Sequence, residues 1–79
     1  MPIFEITARH DINRPNGFHV DRGATFTINI HMDGIKPYSL FNNSRCQDNL
    51  IQQFRINGMD IPKTDYGFYS LGTWDVKFK

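Results

Sequence analysis

The stretch CQDNLIQQFRING, residues 46–58, combines the apolar spacing of a helical face with a helix stop. Its apolar residues recur at the i, i+4 and i+8 positions of one helical face. Upstream, Asn43 or Ser44 can cap the first turn by accepting a hydrogen bond from a free backbone N–H. Downstream, Asn57-Gly58 is typical of a left-handed C-terminal stop. We therefore predict a helix over about residues 44–57 that packs Leu50, Ile51 and Phe54 on a sheet.

On both sides of this helix, hydrophobicity alternates with the period of two that is typical of half-buried strands. Strands are predicted at residues 2–10, 18–21, 24–32 and 74–79. Residues 11–17 are predicted to form a reversing loop, because Pro15 fixes φ and Asn16-Gly17 suits a tight turn. The residues expected to face the core are Phe4, Ile6, Ala8, Phe18, Val20, Phe26, Ile28, Ile30, Met32, Trp74, Val76 and Phe78.

The predicted element order is β-β-β-α-β, with the helix between the third and fourth strands. Strands and helix are segregated along the chain, which favours an α+β fold over a doubly wound α/β fold. We expect a small antiparallel sheet, with the first three strands as a meander and one helix packed on its apolar face. The last strand is placed at an edge beside the first. Residues 1–79 are read as a single small α+β domain.

Chain length and composition limit the classes of protein to consider. A chain of 79 residues builds one core, and a core of this size supplies only roughly 3–5 kcal/mol of net stability, so self-association is expected. The single cysteine, Cys46, cannot form an intrachain disulfide. No segment matches a signal peptide or an apolar membrane span. The expected location is the cytoplasm or a virion.

The sequence contains no recognisable catalytic constellation. Glycines are dispersed at turns and do not form a phosphate-binding loop. Cys46, on the apolar stripe, is interpreted as a packing residue. His10, His19 and His31 could form a zinc site only if a bulge brought them together, because strand parity separates them. We expect no enzymatic activity, no cofactor and no metal, and we leave the role of the histidines open.

Large aromatic residues in predicted loops are the remaining feature that could indicate a function. They lie on either side of the helix and fit neither strand parity nor the helical stripe. Such residues either fold back over the core or form a contact patch, and both interpretations stay open at this point. The predicted partner-binding residues are Tyr38, Phe41, Tyr66, Phe68 and Tyr69.

Four short motifs together resemble a family of short bacterial proteins carried only as a domain of unknown function. The motifs are Ile3-Phe4-Glu5-Ile6, Phe18 and Val20 ahead of Gly23, Phe41-Asn42-Asn43, and Trp74-Asp75-Val76. The resemblance covers most of the chain. It implies a phage or mobile-element context, and it implies no activity and no functional residues.

Two functions remain in competition. The favoured hypothesis is a protein-binding or self-assembling module, because the chain is small, has exposed strand edges and carries loop aromatics. The alternative is nucleic-acid binding, in which the loop aromatics stack on bases while Arg9, Arg14, Arg22 and Lys36 contact phosphates. A net charge of +1, with signs alternating along the chain, counts against the alternative. A membrane partner is not expected.

Overall fold

The computed structural model describes residues 3–15 and 17–79. Its strands are β1 (Ile3–Ala8), β2 (Ile12–Asn13), β3 (His19–Val20), β4 (Thr25–Asn29) and β5 (Trp74–Phe78). The helix α1 (Gln47–Ile56) follows directly on a 3-10 turn at Ser44–Cys46, and a second 3-10 turn lies at Pro37–Ser39. The predicted helix at 44–57 is confirmed. Asn43 caps the 3-10 turn with which the predicted segment begins, since its side chain accepts a hydrogen bond from the Arg45 N–H at 2.9 Å.

The main sheet has three antiparallel strands in the order β4-β1-β5. Phe4 lies opposite Ile28 on β4 and Phe78 on β5, and Ile6 lies opposite Phe26 and Val76. The predicted placement of the last strand beside the first is confirmed, as is the α+β class with one helix on the apolar face.

The structure differs from a simple three-stranded meander at residues 9–23. The segment expected as a loop contains β2, which pairs with β3 in a separate two-stranded ribbon with Ile12 opposite Val20. Ala8 meanwhile bonds to Gly23 and Ala24, so β4 lies directly against β1. Ile12 and Val20 are both buried. The ribbon therefore folds over one end of the core. The Asn16 half of the predicted turn, and the start of the first predicted strand, lie outside the described residues.

Phe54 is the centre of the core between α1 and the sheet. Its ring centroid lies 5.0 Å from that of Tyr69, 5.4 Å from Phe68 and 5.7 Å from Trp74, all in edge-to-face arrangements. The Trp74 Nε1–H donates to the Phe68 carbonyl at 2.9 Å, which satisfies the one polar atom of the indole. Leu50 is buried beside Phe54, whereas Ile51 is only half-buried, at the border of the helix face that packs on the sheet.

Three carboxamide side chains of α1 and its C-cap bind the outer edge of β4. The Asn57 amide donates to the Thr27 carbonyl (3.0 Å), and the Gln53 Oε1 accepts from the Asn29 N–H (3.1 Å). Asn49 donates to the Asn29 carbonyl (3.4 Å) and accepts from the His31 N–H (2.7 Å). These amides, called here the amide row, occupy the positions that a neighbouring strand would bond.

The spacing of the amide row explains why it fits. Four helical residues rise about 6 Å, and two strand residues span about 6.6 Å, so amides at 49, 53 and 57 match strand positions 31, 29 and 27. Gln53 is polar yet only 8% exposed, and its hydrogen bond offsets the cost of that burial. The amide row therefore fixes α1 along one edge of the sheet and covers that edge from the Thr27 carbonyl to the His31 N–H.

We predict that Phe54→Ala lowers the free energy of unfolding by about 3–5 kcal/mol, because the surrounding rings cannot all collapse into the cavity. This approaches the whole stability expected of a domain this small, so the variant should be largely unfolded by urea concentrations that leave the parent folded. Ile56→Ala, at an exposed position of the same helix, is the matched control. Equal unfolding midpoints for the two variants would contradict the placement of Phe54.

Candidate functional site

The outer edge of β5 is the second edge of the sheet, and its hydrogen-bonding groups follow from the pairing with β1. The Lys79 N–H donates to the Ile3 carbonyl and the Arg9 N–H to the Thr73 carbonyl, both at 2.9 Å. Bonded pairs alternate along an antiparallel ladder. The odd-numbered residues of β5 therefore bond to β1, and the even-numbered ones direct their N–H and C=O groups outward.

Val76 and Phe78 provide the open part of this edge. In the described part of the chain, no hydrogen bond fills the outward N–H or C=O of either residue. The Trp74 N–H is already bonded to the Ser70 carbonyl at 3.1 Å. Phe78 stacks on Phe4 with a centroid distance of 5.3 Å, yet the residue remains 54% exposed. The edge thus combines unpaired backbone with an exposed aromatic ring, the features that favour strand addition.

A groove of about 270 Å³ runs beside this edge. Its lining residues are Arg9, Pro37, Tyr38, Leu71, Asp75 and Val76. Tyr38 stands on the 3-10 turn, which Pro37 begins and Ser39 stabilises by accepting from the Lys36 N–H at 3.0 Å. The following residue, Leu40, is fully buried and anchors the turn to the core. The exposed ring of Tyr38 is therefore held on an anchored turn beside β5.

Charged side chains alternate along the outer face of β5. Asp75 lies 3.7 Å from Arg9 and 3.9 Å from Lys77, and all three side chains are substantially exposed. Ion pairs of this kind contribute little to stability because water screens them. They do give the edge a defined order of charge, negative at 75 and positive at 77.

The five aromatic residues predicted to bind a partner fall into two groups. Tyr38 and Tyr66 are 70% and 77% exposed, so both rings are available for contact. Phe41 is half-buried with its ring 6.4 Å from Phe54. Phe68 is fully buried, and Tyr69 is half-buried against the same cluster. The structure thus places Phe68 in the core, and a binding role stays a prediction for Tyr38, Phe41, Tyr66 and Tyr69.

Asp65 explains why Phe68 and Tyr69 fold back. Its carboxylate accepts from the Phe68 N–H at 3.1 Å and from the Arg14 Nε at 2.6 Å. The Arg14 guanidinium lies 5.6 Å above the Phe68 ring, and the Tyr69 hydroxyl donates to the Ile61 carbonyl. These contacts draw the loop onto the core. A carboxylate one turn before an aromatic pair is a local sequence signal for such a turn.

The ionisation of two groups in this loop reflects the same contacts. The hydrogen bond from Arg14 lowers the pKa of Asp65, and that from the Phe68 N–H adds to this effect. The ionised Asp65 carboxylate therefore stabilises the fold fully at pH values above the pKa that Asp65 has in the unfolded chain. This stabilisation is lost as the pH falls through the lower pKa of Asp65 in the folded chain. Burial raises the pKa of Tyr69 to about 12, which keeps its hydroxyl available as a donor.

The residues considered for catalysis or metal binding have local partners. Cys46 is buried, donates to the Asn43 carbonyl at 3.4 Å, and has its pKa raised by burial, as expected of a packing residue. His19 bonds to Asn13 and Asp21, and His10 to the Asp11 carbonyl. Within residues 3–15 and 17–79, no three histidine, cysteine or acidic side chains are grouped to hold a metal.

Two of the four basic residues proposed for phosphate contacts are engaged within the chain. Arg14 forms the ion pair with Asp65, and Arg9 donates to the Leu71 carbonyl at 2.8 Å and faces Asp75. A phosphate would have to compete with these contacts. This weakens the case for a basic nucleic-acid surface.

Comparisons with family models, curated proteins and solved structures find no match to this chain. The resemblance to short bacterial proteins of unknown function therefore stays an expectation. Within the described residues, no helix has the length and apolar character needed to span a membrane.

We predict that Val76→Pro is tolerated much better than Lys77→Pro. The Val76 N–H faces away from β1, where proline is accepted on an edge strand, whereas the Lys77 N–H bonds to Glu5 across the ladder. Losing that bond should cost about 1–3 kcal/mol more. Urea unfolding of the two variants measures the difference. Equal losses in the free energy of unfolding would show that the Val76 N–H does not face away from β1.

Proposed function

We propose that this chain is a small protein-binding module that binds its partner along the outer edge of β5. The observation that carries the proposal is the contrast between the two sheet edges. Amides of the helix layer bond to the β4 edge between Thr27 and His31, while among the described residues nothing pairs with the outward backbone groups of Val76 and Phe78 on the β5 edge. An extended segment added there would gain main-chain hydrogen bonds, the mode of recognition called strand addition.

Two exposed rings support this assignment. Phe78 lies on the open edge itself, and Tyr38 lines the groove next to it. Aromatic residues are enriched at the centres of protein interfaces, because a large rigid ring buries much area at little entropic cost. Tyr38 is thus the loop aromatic with the strongest structural support for a role in binding.

Nucleic-acid binding is the weaker alternative, because Arg9 and Arg14 already form ion pairs with Asp75 and Asp65. The near-neutral charge points the same way. A location in the cytoplasm or a virion, and an origin in a phage or mobile element, accompany the proposal as expectations from the sequence. The chain has no proposed enzymatic role.

Affinity capture from the source cell tests the function, with mass spectrometry as the readout and nuclease-treated and untreated arms. Three forms of the chain serve as bait: the parent, Val76→Pro, and Ile56→Ser as a control at an exposed position of α1 outside the groove lining and outside the predicted contact residues. We expect a protein, either another copy of the chain or a different polypeptide, to be retained by the parent and by Ile56→Ser and lost from Val76→Pro. Each bait is first shown to be folded by thermal melting.

Two results would contradict the proposal. Capture that Val76→Pro leaves unchanged would place the contact surface elsewhere. Capture that nuclease abolishes, or that weakens about a hundredfold or more between about 50 and 200 mM salt, would favour nucleic acid, because phosphate contacts release counterions.

A further inference from the structure

We propose that the occupant of the β5 edge is β5 of a second copy, paired antiparallel about a two-fold axis at Val76. This inference rests on the proposed function and specifies its partner. It joins two three-stranded sheets into one six-stranded sheet, β4-β1-β5 followed by the same strands of the partner in reverse. Isologous pairing of this kind is the simplest closed assembly for identical chains.

Hydrogen-bond parity limits the registers that are available. Only even-numbered residues of β5 direct backbone groups outward, so an even residue must face an even residue of the partner. In an antiparallel two-fold pair, one position faces its own copy. Pairing centred on Val76 aligns all of Trp74–Phe78 with itself. Val76 then exchanges two bonds with the partner's Val76, and each Phe78 N–H donates to the partner's Trp74 carbonyl.

Charge selects among the remaining registers. Centring on Val76 places Asp75 opposite the partner's Lys77 and Lys77 opposite the partner's Asp75. Shifting the centre by one residue satisfies the same parity but sets Lys77 against the partner's Lys77, or Asp75 against the partner's Asp75. Facing like charges destabilise a strand pair and facing opposite charges stabilise it. These positions are non-bonded pairs of the new ladder, where side chains are closest. Within Trp74–Phe78, the Val76 register alone sets every charged side chain opposite one of the other sign.

The same register covers the exposed aromatic ring at the edge. Phe78 comes opposite the partner's Trp74, so the exposed part of the residue meets the other copy.

The amide row then explains why assembly stops at two copies. After two β5 strands pair, the outer edges of the six-stranded sheet are both β4, and helix amides already bond to each of them from the Thr27 carbonyl to the His31 N–H. The structure therefore favours a closed dimer over an open fibre.

Charge reversal tests the register. Size-exclusion chromatography with light scattering is run on the parent, on Asp75→Lys, on Lys77→Asp, and on the double variant that carries both changes. We expect the parent to approach twice 9.2 kDa as concentration rises. Each single variant sets like charges opposite each other and should dimerise at least tenfold more weakly. The double variant restores opposite charges and should regain the dimer. Thermal melting of each dilute sample checks that the substitutions leave the chain folded.

The outcomes separate this inference from the function it rests on. A parent that stays at 9.2 kDa at the highest concentration would overturn self-pairing, while edge-dependent capture of a different protein would still support a binding module. A dimer that both single variants retain would overturn the Val76 register, since contact must then lie elsewhere. Single variants that weaken dimerisation without recovery in the double variant would also contradict it, because the effect would then not come from facing charges.

Discussion

Side-chain amides bonded to the outer edge of β4 determine how the rest of the molecule is arranged. Because Asn49, Gln53 and Asn57 occupy the backbone groups of Thr27, Asn29 and His31, the helix is held along one side of the sheet. That position sets Phe54 over the sheet among Phe68, Tyr69 and Trp74. It also leaves the far edge, β5, outside the cover of the helix. The same constraint thus builds the core and leaves open a surface for binding.

Local patterns were sufficient to predict the elements of this fold, because each reports on the residues that form it. Alternation identified β1, β4 and β5. The spacing from Cys46 to Phe54 identified the helix, and Asn43 caps the 3-10 turn that leads into it. Alternation also placed a strand at 18–21, where β3 lies, but β2 and its pairing with β3 were missed, since a two-residue strand in a turn-rich segment leaves no period to detect. The amide row was also missed, although carboxamides at 49, 53 and 57 repeat at the helical spacing of four. A polar residue next to an apolar stripe is usually solvated, and only the position of β4 shows its partner.

The candidate site was harder to predict because exposure depends on the tertiary fold. Tyr38 and Phe68 look alike in the sequence, as aromatics in loops, yet one is exposed and the other is fully buried. The difference comes from Arg14, which is distant in sequence and binds Asp65 to draw the second loop inward. The open edge itself is a backbone property, set by whether even or odd residues of β5 face β1. No side-chain pattern reveals that parity before the pairing with β1 is known.

The central claim is that helix amides bond to one sheet edge while the other edge is free to pair. Residue-resolved amide hydrogen exchange tests it most directly, because an amide exchanges slowly only when its hydrogen bond is kept. In dilute solution we expect slow exchange for Asn29 and His31, which donate to the amide row, and fast exchange for Val76 and Phe78. On concentration, Val76 and Phe78 should become protected while Asn29 and His31 do not change. Slow exchange of Val76 and Phe78 in the dilute monomer, or fast exchange of Asn29 within an otherwise protected sheet, would contradict the account.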